Sequence, residues 1–500
     1  MPRRNITWLL GMLIFTLFCW TIAQGGFATS ASVRGPLQLV KGLGTDQADY
    51  ERMKLFIDVM QHVEMHYVHD LTPEERRKYI EAAIEGGLQS LDQHSNFLSQ
   101  REFAAFRKQN QGVFGGIGVT VIVPRDTRRL TVVSPIVGTP AYKAGIKPGD
   151  EIMKIDDQPT DGLTDQDAVD RITGKPGTSV KLTIRHRGSP RLIDVSLVRS
   201  QIEVDSIYSD QRDSQHKWDY LYDKENRIGY IRVVNFGQKT HEELRKALEQ
   251  LEKQEVTGLV LDLRYNPGGL LESAVLISDM FLRPGQKIVS IAGRTRSQTY
   301  EAEPGRKFLE PAQKHPIVVL LNEESASASE IVAAALQDNG RAVIMGERSF
   351  GKGSVQNMME LETGKTAIKL TTAKYLRPNG KNIHRFPDSK ETDDWGVRPD
   401  IEVKLKRVEN LETWMARRDR DVVRGQETTA ERAEQVSVFC LPFGSLVSLG
   451  LPVQAMVTTS QVQAVYHTLP QPPLPFNDRA LNQAIQYLRE RVVSRTAKQG

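Results

Sequence analysis

The stretch "HPIVVLLNEESASASEIVAAALQDNGRAVIMG", His315–Gly346, decides the fold class. An apolar run with the length of a buried strand opens it, and a turn of small residues follows. An alanine-rich segment then ends at Asn339-Gly340, a helix stop signal, before a second apolar run begins. A strand, a helix and another strand in this order are typical of a parallel α/β sheet.

The same alternation extends in both directions, from Ile228 to Val403. The runs "RIGYIRVVNF" and "VTGLVLDLRY" read as strands, and "KTHEELRKALEQLEKQ" and "LLESAVLISDMFL" read as helices. Between Gly112 and Ser200 the pattern changes to short β-like runs separated by glycine turns. We therefore predict a β-rich module followed by an α/β domain with a largely parallel sheet.

Residues 46–110 show helical spacing of apolar side chains, and Thr72, Pro73 and Glu75 are placed as a capping box with proline at the first helical position. We expect packing or dimer contacts from this region rather than catalysis. The last hundred residues contain a charge-dense segment, an uncharged segment at 436–457 and an amphipathic C-terminal helix. The predicted division is 1–30 export signal or anchor, 46–110 helical region, 112–200 β-rich module, 201–405 α/β domain and 406–500 C-terminal extension.

The N-terminus has the pattern of an export segment. Two arginines precede an uncharged stretch from Ile6 to Ser32. Small residues at Ala28 and Ser30 suit cleavage before Ala31, but an apolar run of about 18 residues suits an uncleaved membrane anchor equally well. We expect a location outside the inner membrane, periplasmic or anchored facing that side, with membrane contact only through this segment.

Composition excludes several classes. The chain has 66 Lys and Arg against 62 Asp and Glu, a balance unlike that of a dedicated nucleic-acid binder. The 2 cysteines include Cys19 in the export segment, so Cys440 has no partner for an intramolecular disulfide after cleavage.

The segment "GERSFGKGS" is close to a phosphate-binding loop, and Asp262 after an apolar strand could bind magnesium. Gly353 follows Lys352, however, where the loop needs a hydroxyl, and "GSVQNMMELETG" reads as a strand rather than the required helix. An exported protein also meets little ATP. The sequence therefore argues against a nucleotide site.

The turn "SASAS" supplies a different chemistry. A serine at a helix start lies near free amides and the positive end of the helix dipole, which favour an oxyanion. A single serine there is commonly only a cap, so the alternation Ser325, Ser327, Ser329 is a weak signal alone.

Taken together, the segments resemble the carboxyl-terminal processing (tail-specific) serine peptidases. "NEESASASEIVAAALQDNGRAVIMGERSFGKGSVQ" resembles their signature, "GLVLDLRYNPGGLLESAV" the strand and turn before their nucleophile, and "GGIGVTV" with "SPIVGTPAYKAGIKPGDEIMKIDDQ" their PDZ domain. The likeness spans roughly residues 46–405 in order. It implies a multidomain α/β fold: an N-terminal helical region, a β-rich PDZ domain, a protease core with a largely parallel, ClpP/crotonase-like sheet, and a C-terminal helical extension.

By position, the resemblance implies Ser327 as nucleophile, Lys352 as general base and Gln356 as its support, with oxyanion amides at Gly269 and Ala328. A lysine acts as a base only when neutral, so its pKa must fall from about 10.4 toward about 7–8 through burial. No acidic residue lies between Glu347 and Glu360 to hold the ammonium charged. Gln356, four residues after Lys352, would share a strand face with it.

The resemblance also implies that the PDZ loop Gly116, Ile117, Gly118 and Val119 receives a terminal carboxylate through backbone N–H groups, beside which the peptide adds as a strand. Two positions depart from the family: Gln93 replaces a proline in "DQHS", and Thr173 stands where many relatives have an arginine before a glycine. Coupling between the PDZ domain and the active site is in question there. The insert "IHRFPDSKETDDW", Ile383–Trp395, and residues 436–457 have no family role.

The sequence thus predicts an exported serine endopeptidase with a Ser-Lys dyad that recognises C-terminal or unfolded segments of protein substrates and cleaves through an acyl-enzyme. We expect no metal, no cofactor and no nucleic-acid partner; an adaptor protein and a homo-oligomer are left open. The alternatives are a catalytically degenerate PDZ scaffold that binds C-termini, and an acyl-CoA-type enzyme, which the PDZ module and export segment disfavour.

Overall fold

The structure is a computed structural model that describes residues 47–111, 113–124, 127–295, 297–305, 307–310, 314–422 and 477–499. The predicted export segment and the uncharged stretch 436–457 lie outside these residues. Within the described ranges, no helix is both long and apolar enough to cross a membrane.

The chain divides into two compact units between residues 83 and 84. The first contains helix α1 (Gln47–His66) and most of helix α2 (Pro73–Gln89). The predicted capping box is confirmed, because the Thr72 N–H donates to Glu75 Oε2 at 2.9 Å and the Glu75 N–H donates to Thr72 Oγ1 at 3.3 Å.

The second unit begins with a short strand that interrupts the helical region. Strand β1 (Asn96–Leu98) follows the end of α2 and precedes helix α3 (Gln100–Gln111). The sequence analysis read this region as helical throughout. Three residues carry too little periodicity to reveal a strand, and β1 exists because it pairs with a strand almost 270 residues later, Asn96 opposite Lys369.

The β-rich module is an antiparallel sheet with two short helices. Its sheet order is β3-β4-β5-β7-β8, with β6 paired to β5, and a separate pair of strands, β2 and β9, joins the segments that enter and leave the module. Thirteen buried residues, among them Ile117, Leu130 and Leu182, fill its core. The element bounds are β2 Val113–Gly116, β3 Val119–Ile122, β4 Thr131–Pro135, α4 Pro140–Lys143, β5 Glu151–Ile155, β6 Gln158–Pro159, α5 Asp165–Ile172, β7 Ser179–Arg185, β8 Leu192–Val198 and β9 Ser200–Glu203.

A second sheet forms the centre of the α/β domain. Strands β14, β15, β18, β19 and β22 lie side by side in parallel, with β10 and β13 antiparallel at the β14 edge. Its elements are β10 Ile207–Tyr208, β13 Leu221–Asp223, β14 Ile228–Val233, α6 Thr240–Lys253, β15 Gly258–Asp262, α7 Leu271–Asp279, β18 Ile317–Leu321, α8 Ala328–Asp338, β19 Val343–Gly346 and β22 Ile401–Glu402; a hairpin of β11 Gln211–Arg212 and β12 Trp218–Asp219 stands apart.

A third sheet lies beside it. Its strands are β16 (Lys287–Gly293), β17 (Ser297–Glu301), β20 (Ser354–Leu361) and β21 (Thr366–Leu376), and β1 joins β21. The order is β1-β21-β16-β17, with β20 also paired to β21.

The C-terminal extension completes the parallel sheet. Helices α6, α7 and α8 bury one face, whereas the other face packs against helix α10 (Arg479–Gln499). Alanine and leucine at positions 480, 481, 484 and 488 meet Tyr230, Val260 and Val318 there. Burial of this strip removes apolar surface from water, which is the main stabilising contribution available to it.

A buried ionic cluster holds the extension in register. Helix α9 (Arg407–Asp421) supplies Arg417, whose guanidinium lies 2.7 Å from a carboxylate oxygen of Asp262 and 2.7 Å from one of Asp478. Arg264 binds the same two carboxylates at 2.8 and 2.9 Å. Burial alone would raise the pKa of Asp262, but the charges of Arg264 and Arg417 outweigh it and lower that pKa.

Candidate active site

Ser327 lies at the junction between strand β18 and helix α8, immediately before the first residue of the helix. Its backbone has φ 54° and ψ −113°, in a region that non-glycine residues rarely adopt. Such a conformation costs about 1–3 kcal/mol and persists only where surrounding contacts enforce it, which occurs mostly at functional sites. The side chain is half-buried, so a substrate can reach it.

The turn around Ser327, residues 322–329, is named here the serine turn, and its contacts go to the end of β15. Ser325 Oγ donates to the Leu263 carbonyl at 2.9 Å and accepts from the Asn322 N–H at 3.0 Å. Ser329 Oγ donates to the Asn266 carbonyl at 3.0 Å. The serines on either side of Ser327 are therefore buried structural groups, and Ser327 alone of the three is reachable.

Two glycines bring the chain after β15 against the serine turn. A Cβ on Gly268 would lie 2.8 Å from Ser327 Cβ and 2.9 Å from the Ala328 nitrogen, and one on Gly269 would lie 2.3 Å from the Phe236 carbonyl oxygen. Only glycine permits this approach, which is reinforced by positive φ values of 100° and 149°. Within the described residues, the N–H groups of Gly269 and Ala328 donate to no protein acceptor.

Lys352 lies in the loop between β19 and β20, and residues 349–353 are named here the lysine loop. Burial lowers the pKa of Lys352 to about 8, Lys369 lowers it further and Glu330 opposes the shift. Within the described chain, the amine makes no hydrogen bond or ion pair, and no direct hydrogen bond joins it to Ser327. A sizeable fraction of the amine is therefore neutral near neutral pH.

Glu330 connects the two turns. This fully buried residue on the first turn of α8 accepts hydrogen bonds from the N–H groups of Ser327, Gly351 and Lys352 at 2.7, 2.7 and 2.8 Å. Ser349 Oγ donates to it at 2.6 Å. Burial raises the pKa of Glu330, and these four donors oppose that rise. One carboxylate thus fixes the backbone of both the serine turn and the lysine loop.

Gln356 lies on β20, but Lys352 precedes that strand and a register shift falls between residues 355 and 356. The argument from even spacing on one strand therefore does not apply. Gln356 Nε2 donates to Ser354 Oγ at 2.8 Å and to Thr371 Oγ1 at 3.3 Å. Because both amide hydrogens are engaged, the carbonyl oxygen Oε1 is the group that Gln356 can offer to an amine.

The turn "DQHS", which departs from the family pattern, supports this arrangement. Thr371 Oγ1 donates to Asp92 Oδ1 at 3.2 Å, and the Thr371 N–H donates to Ser95 Oγ at 3.0 Å. Burial and the nearby Lys352 charge lower the pKa of His94 to about 4, which keeps that imidazole neutral. The turn before β1 therefore borders the lysine loop.

The structure removes the nucleotide-site alternative. Lys352 is followed by strand β20, so no helix N-terminus faces an anion there. Asp262 binds Arg264, Arg417 and the Tyr230 hydroxyl, so its oxygens are already engaged by protein donors. Neither residue is free for the phosphate and magnesium roles that the sequence left to be weighed.

In the β-rich module, the predicted carboxylate loop lies between β2 and β3. Within the described residues, the N–H groups of Ile117 and Gly118 make no hydrogen bond to the protein. Gly118 has φ 74°, and a Cβ there would lie 2.4 Å from Thr139. Strand β3, which begins at Val119, is an edge strand beside helix α5.

Thr173 ends helix α5 without the arginine that many relatives have there. Arg199 instead donates to the Arg171 and Ile172 carbonyls at 2.9 and 2.8 Å, satisfying the C-terminal end of this helix. Its guanidinium also donates to the Ser179 carbonyl at 2.8 Å. Arg199 is thus committed to the module itself.

Sequence reasoning missed Glu330, Thr371 and Asp92. Glu330 looked like an ordinary acidic residue in a first helical turn, and the sequence analysis searched for charges near Lys352 only among its chain neighbours. Its spacing of three from Ser327, as in a capping box, was the one available signal.

Comparison with known families now adds to this geometry. The model of peptidase family S41 matches residues 227–403, and the PDZ domain model matches residues 115–197. The carboxy-terminal-processing protease of Bartonella bacilliformis is 39% identical over 364 residues, which cover 72% of this chain and 76% of that protein. The carboxy-terminal processing protease CtpA of Bacillus subtilis is 37% identical over 330 residues, 66% of this chain and 64% of that protein.

Among solved structures, the photosystem II D1 C-terminal processing protease is 28% identical, covers 70% of this chain and 92% of its own, and has a TM-score of 0.37. The sequence identities and family models show that the chain belongs to the carboxyl-terminal processing serine peptidases of family S41 and carries a PDZ domain. The resemblance inferred from the sequence is confirmed, and the protein is a serine-type peptidase.

Proposed function

We propose that Ser327 is the nucleophile and Lys352 the general base of an exported endopeptidase. The observation that carries this proposal is the Glu330 carboxylate, which binds the backbone N–H groups of both residues. The strained backbone of Ser327 and the lowered pKa of Lys352 support it independently. We also propose that the parallel sheet, with helices on both faces, has the ClpP/crotonase-like arrangement.

The chemistry balances with these groups alone. Neutral Lys352 takes the hydroxyl proton of Ser327 as Oγ attacks the peptide carbonyl. The N–H groups of Gly269 and Ala328 then stabilise the developing oxyanion. Breakdown of the tetrahedral intermediate breaks the C–N bond, and the leaving amine takes the proton from Lys352. Water, with Lys352 again as base, attacks the acyl-enzyme and releases the acid product.

Gln356 assists the base in this scheme. Its Oε1 accepts a hydrogen bond from the Lys352 amine and orients it without adding charge, whereas a carboxylate would favour the ammonium form. Thr371 and Asp92 hold the amide by engaging its nitrogen side.

The PDZ domain supplies protein substrates. The free N–H groups of Ile117 and Gly118 suit a terminal carboxylate, with Gly116 and Val119 completing the loop, and the exposed edge of β3 suits addition of an extended peptide. Substrates are therefore C-terminal or unfolded segments of proteins. Residues 1–30 direct the enzyme out of the cytoplasm or anchor it on the periplasmic side; an adaptor and self-association are compatible with this arrangement.

The test is proteolysis of an unfolded protein by Ser327→Ala and Lys352→Ala variants. We expect both to lower kcat/KM by at least about 10³-fold while the fold is retained. Ser290→Ala, which removes a serine from β16 away from the site, serves as the matched control and should stay within about twofold of the parent. Full activity of either site variant contradicts the dyad, and no turnover by the parent enzyme would favour the PDZ scaffold alternative.

The PDZ assignment needs a separate measurement. A peptide with a free C-terminus should bind and be cleaved, and its C-terminally amidated form should lose binding because the Ile117 and Gly118 N–H groups are left without an anion. Equal affinity for the two peptides contradicts the carboxylate-loop role.

A further inference from the structure

The insert Ile383–Trp395, to which the sequence analysis assigned no role, lies against the lysine loop. The Arg385 N–H donates to the Gly351 carbonyl at 2.8 Å, and the Gly396 N–H donates back to the Ile383 carbonyl at 2.8 Å. The second bond closes the insert into a compact loop, and the first fastens that loop beside Lys352.

Both glycines that flank Lys352 are in close contact with this insert. A Cβ on Gly351 would lie 2.7 Å from Arg385 Cβ and 3.0 Å from Trp395 Cε3. A Cβ on Gly353 would lie 2.3 Å from the His384 nitrogen. These distances are below any real Cβ contact, so the two glycines of the lysine loop provide the space into which the insert packs.

Trp395 organises the insert. Its ring is 5% exposed, and its Nε1–H donates to the Lys390 carbonyl at 2.9 Å. The guanidinium carbon of Arg348 lies 3.4 Å from the ring centroid and that of Arg385 lies 4.3 Å from it. Such cation–π contacts contribute about 0.5–2 kcal/mol each, the more so when desolvated.

Arg348 extends this attachment by donating to carbonyls of the insert: to Glu391 at 2.7 Å and to Trp395 at 3.0 and 2.7 Å. Immediately after the insert, the Val397 N–H donates to Ser349 Oγ at 2.7 Å, and Ser349 also binds Glu330. The insert is thus joined to the same hydrogen-bond network that holds the serine turn.

From these contacts we infer that the insert is a strap that positions the lysine loop for catalysis, with Trp395 as its central positioning residue. The inference rests on the proposed role of Lys352 and deepens it. The strap excludes water from the loop and keeps Lys352 in its low-dielectric position. Without it, the amine would be better hydrated and would hold its proton to higher pH.

The charges that act on Lys352 come from several elements: Lys369 on β21, Glu330 on α8 and His94 in the turn before β1. On the strap, the titratable His384 lies next to Gly353. Replacement of Trp395 leaves all four groups in the chain, so its effect on Lys352 reports enclosure and position rather than a lost charge.

The test compares Trp395→Ala with Trp395→Phe and with Trp218→Ala. Trp218 is a matched control, since it is also buried and also stacked by an arginine, Arg212, at 3.5 Å, but on strand β12. For Trp395→Ala we expect the alkaline rise of kcat to move upward by about one pH unit, which lowers kcat at pH 7 about tenfold with KM within about twofold. Trp395→Phe should restore most of the parent profile.

A readout independent of turnover separates this inference from the dyad. Competitive acetylation of the Ser327→Ala protein at a series of pH values, followed by mass spectrometry of the Lys352 peptide, reports when that amine becomes neutral. We expect the same upward move on adding Trp395→Ala, and a smaller one on adding the milder Arg385→Ala if the tryptophan variant does not fold. Trp218→Ala should change the melting temperature but leave the Lys352 profile in place.

An unchanged Lys352 profile in folded Trp395→Ala or Arg385→Ala overturns the strap, even if the dyad stands. An equal move in Trp218→Ala also overturns it, because the effect would then follow from general destabilisation. Full activity of Lys352→Ala would refute the dyad alone, since the acetylation profile tests the strap without it.

Discussion

The serine turn and the lysine loop face each other across the site, yet they are held by different kinds of contact. The serine turn is bound by the adjacent turn after β15, through Leu263 and Asn266, within the parallel sheet. The lysine loop leans on Glu330 from one side and on the strap from the other. The first is part of the core, and the second is fastened to it from outside.

This difference predicts different consequences of damage. Groups that hold the serine turn are fully buried among strands of the sheet, so their loss should reduce stability together with activity. Groups around the lysine loop mainly set the environment of one amine, so their loss should alter the pH dependence of kcat more than the melting temperature. Glu330 belongs to both and should affect everything.

The largest effect is expected for Glu330. Glu330→Ala leaves three backbone N–H groups and the Ser349 hydroxyl without their acceptor in a buried site, which should cost about 3–5 kcal/mol of stability and at least about 10³-fold in kcat/KM. Urea denaturation and proteolysis of an unfolded protein measure the two.

Glu330→Gln sharpens this test, because it keeps the shape but places an amide NH₂ against donors. It should recover part of the stability and little of the activity. Glu272→Gln, in the exposed first turn of α7, is the control and should be near neutral. Near-parental activity of Glu330→Gln would show that the two turns do not depend on this carboxylate.

On the serine side, Asn266→Ala should have the next largest effect. Asn266 Oδ1 accepts from the Gly268 N–H at 2.8 Å and Nδ2 donates to the Val233 carbonyl at 2.8 Å, so the change leaves two buried groups unpaired. We expect a loss of about 2–4 kcal/mol and about 100-fold in kcat, because the Gly268–Gly269 turn loses its brace.

Asn339→Ala is the matched control for this change. Asn339 Nδ2 also donates to two carbonyls, of Lys287 and Ala335, but at the far end of helix α8. If Asn339→Ala lowered kcat as much as Asn266→Ala, or if Asn266→Ala altered pH dependence without altering stability, the contrast between the two turns would fail.

On the lysine side, the pH dependence gives the smallest and most specific effect. Activity requires neutral Lys352, whose pKa is about 8, so kcat should rise with pH through about pH 8 and fall tenfold per unit below it. Gln356→Glu adds a carboxylate that favours the ammonium, so the rise should move to higher pH and kcat at pH 7 should fall about tenfold.

Asn357→Asp adds the same charge one residue along β20, where the side chain is exposed, and should move the rise little. Gln356→Ala should lower kcat without the alkaline move, since it removes the amide but adds no charge. A rise that ignores Gln356→Glu would mean that Gln356 does not face the amine.

Much of this molecule was readable from its sequence because the relevant signals are local. The strands and helices from Ile228 to Gly346 follow from apolar runs and stop signals, and strand β20 was preferred to a helix on residue type alone. The reach of the glycine turn after β15 and the capping box at Thr72 were also local patterns. In each case the residues that decide the structure are neighbours in the chain.

What the sequence did not reveal are pairings between distant segments. Strand β1 forms only on β21, Arg417 and Asp478 meet Asp262 and Arg264 across more than 150 residues, and the insert meets the lysine loop 34 residues before it. The periodicity of a segment shows which side of it is apolar, but not which remote partner it will meet.

By itself, the sequence determined the fold class, the family and the few positions able to carry the chemistry, because those depend on residue type, short spacing and hydrophobic pattern. Only the tertiary structure decided how Ser327 and Lys352 are brought into one network, through a glutamate that ranks as an ordinary helix-start residue in the sequence. The physical reason is that a buried carboxylate must satisfy its hydrogen-bonding capacity, and the donors that satisfy Glu330 come together only when the sheet, the strap and the helix have closed around it.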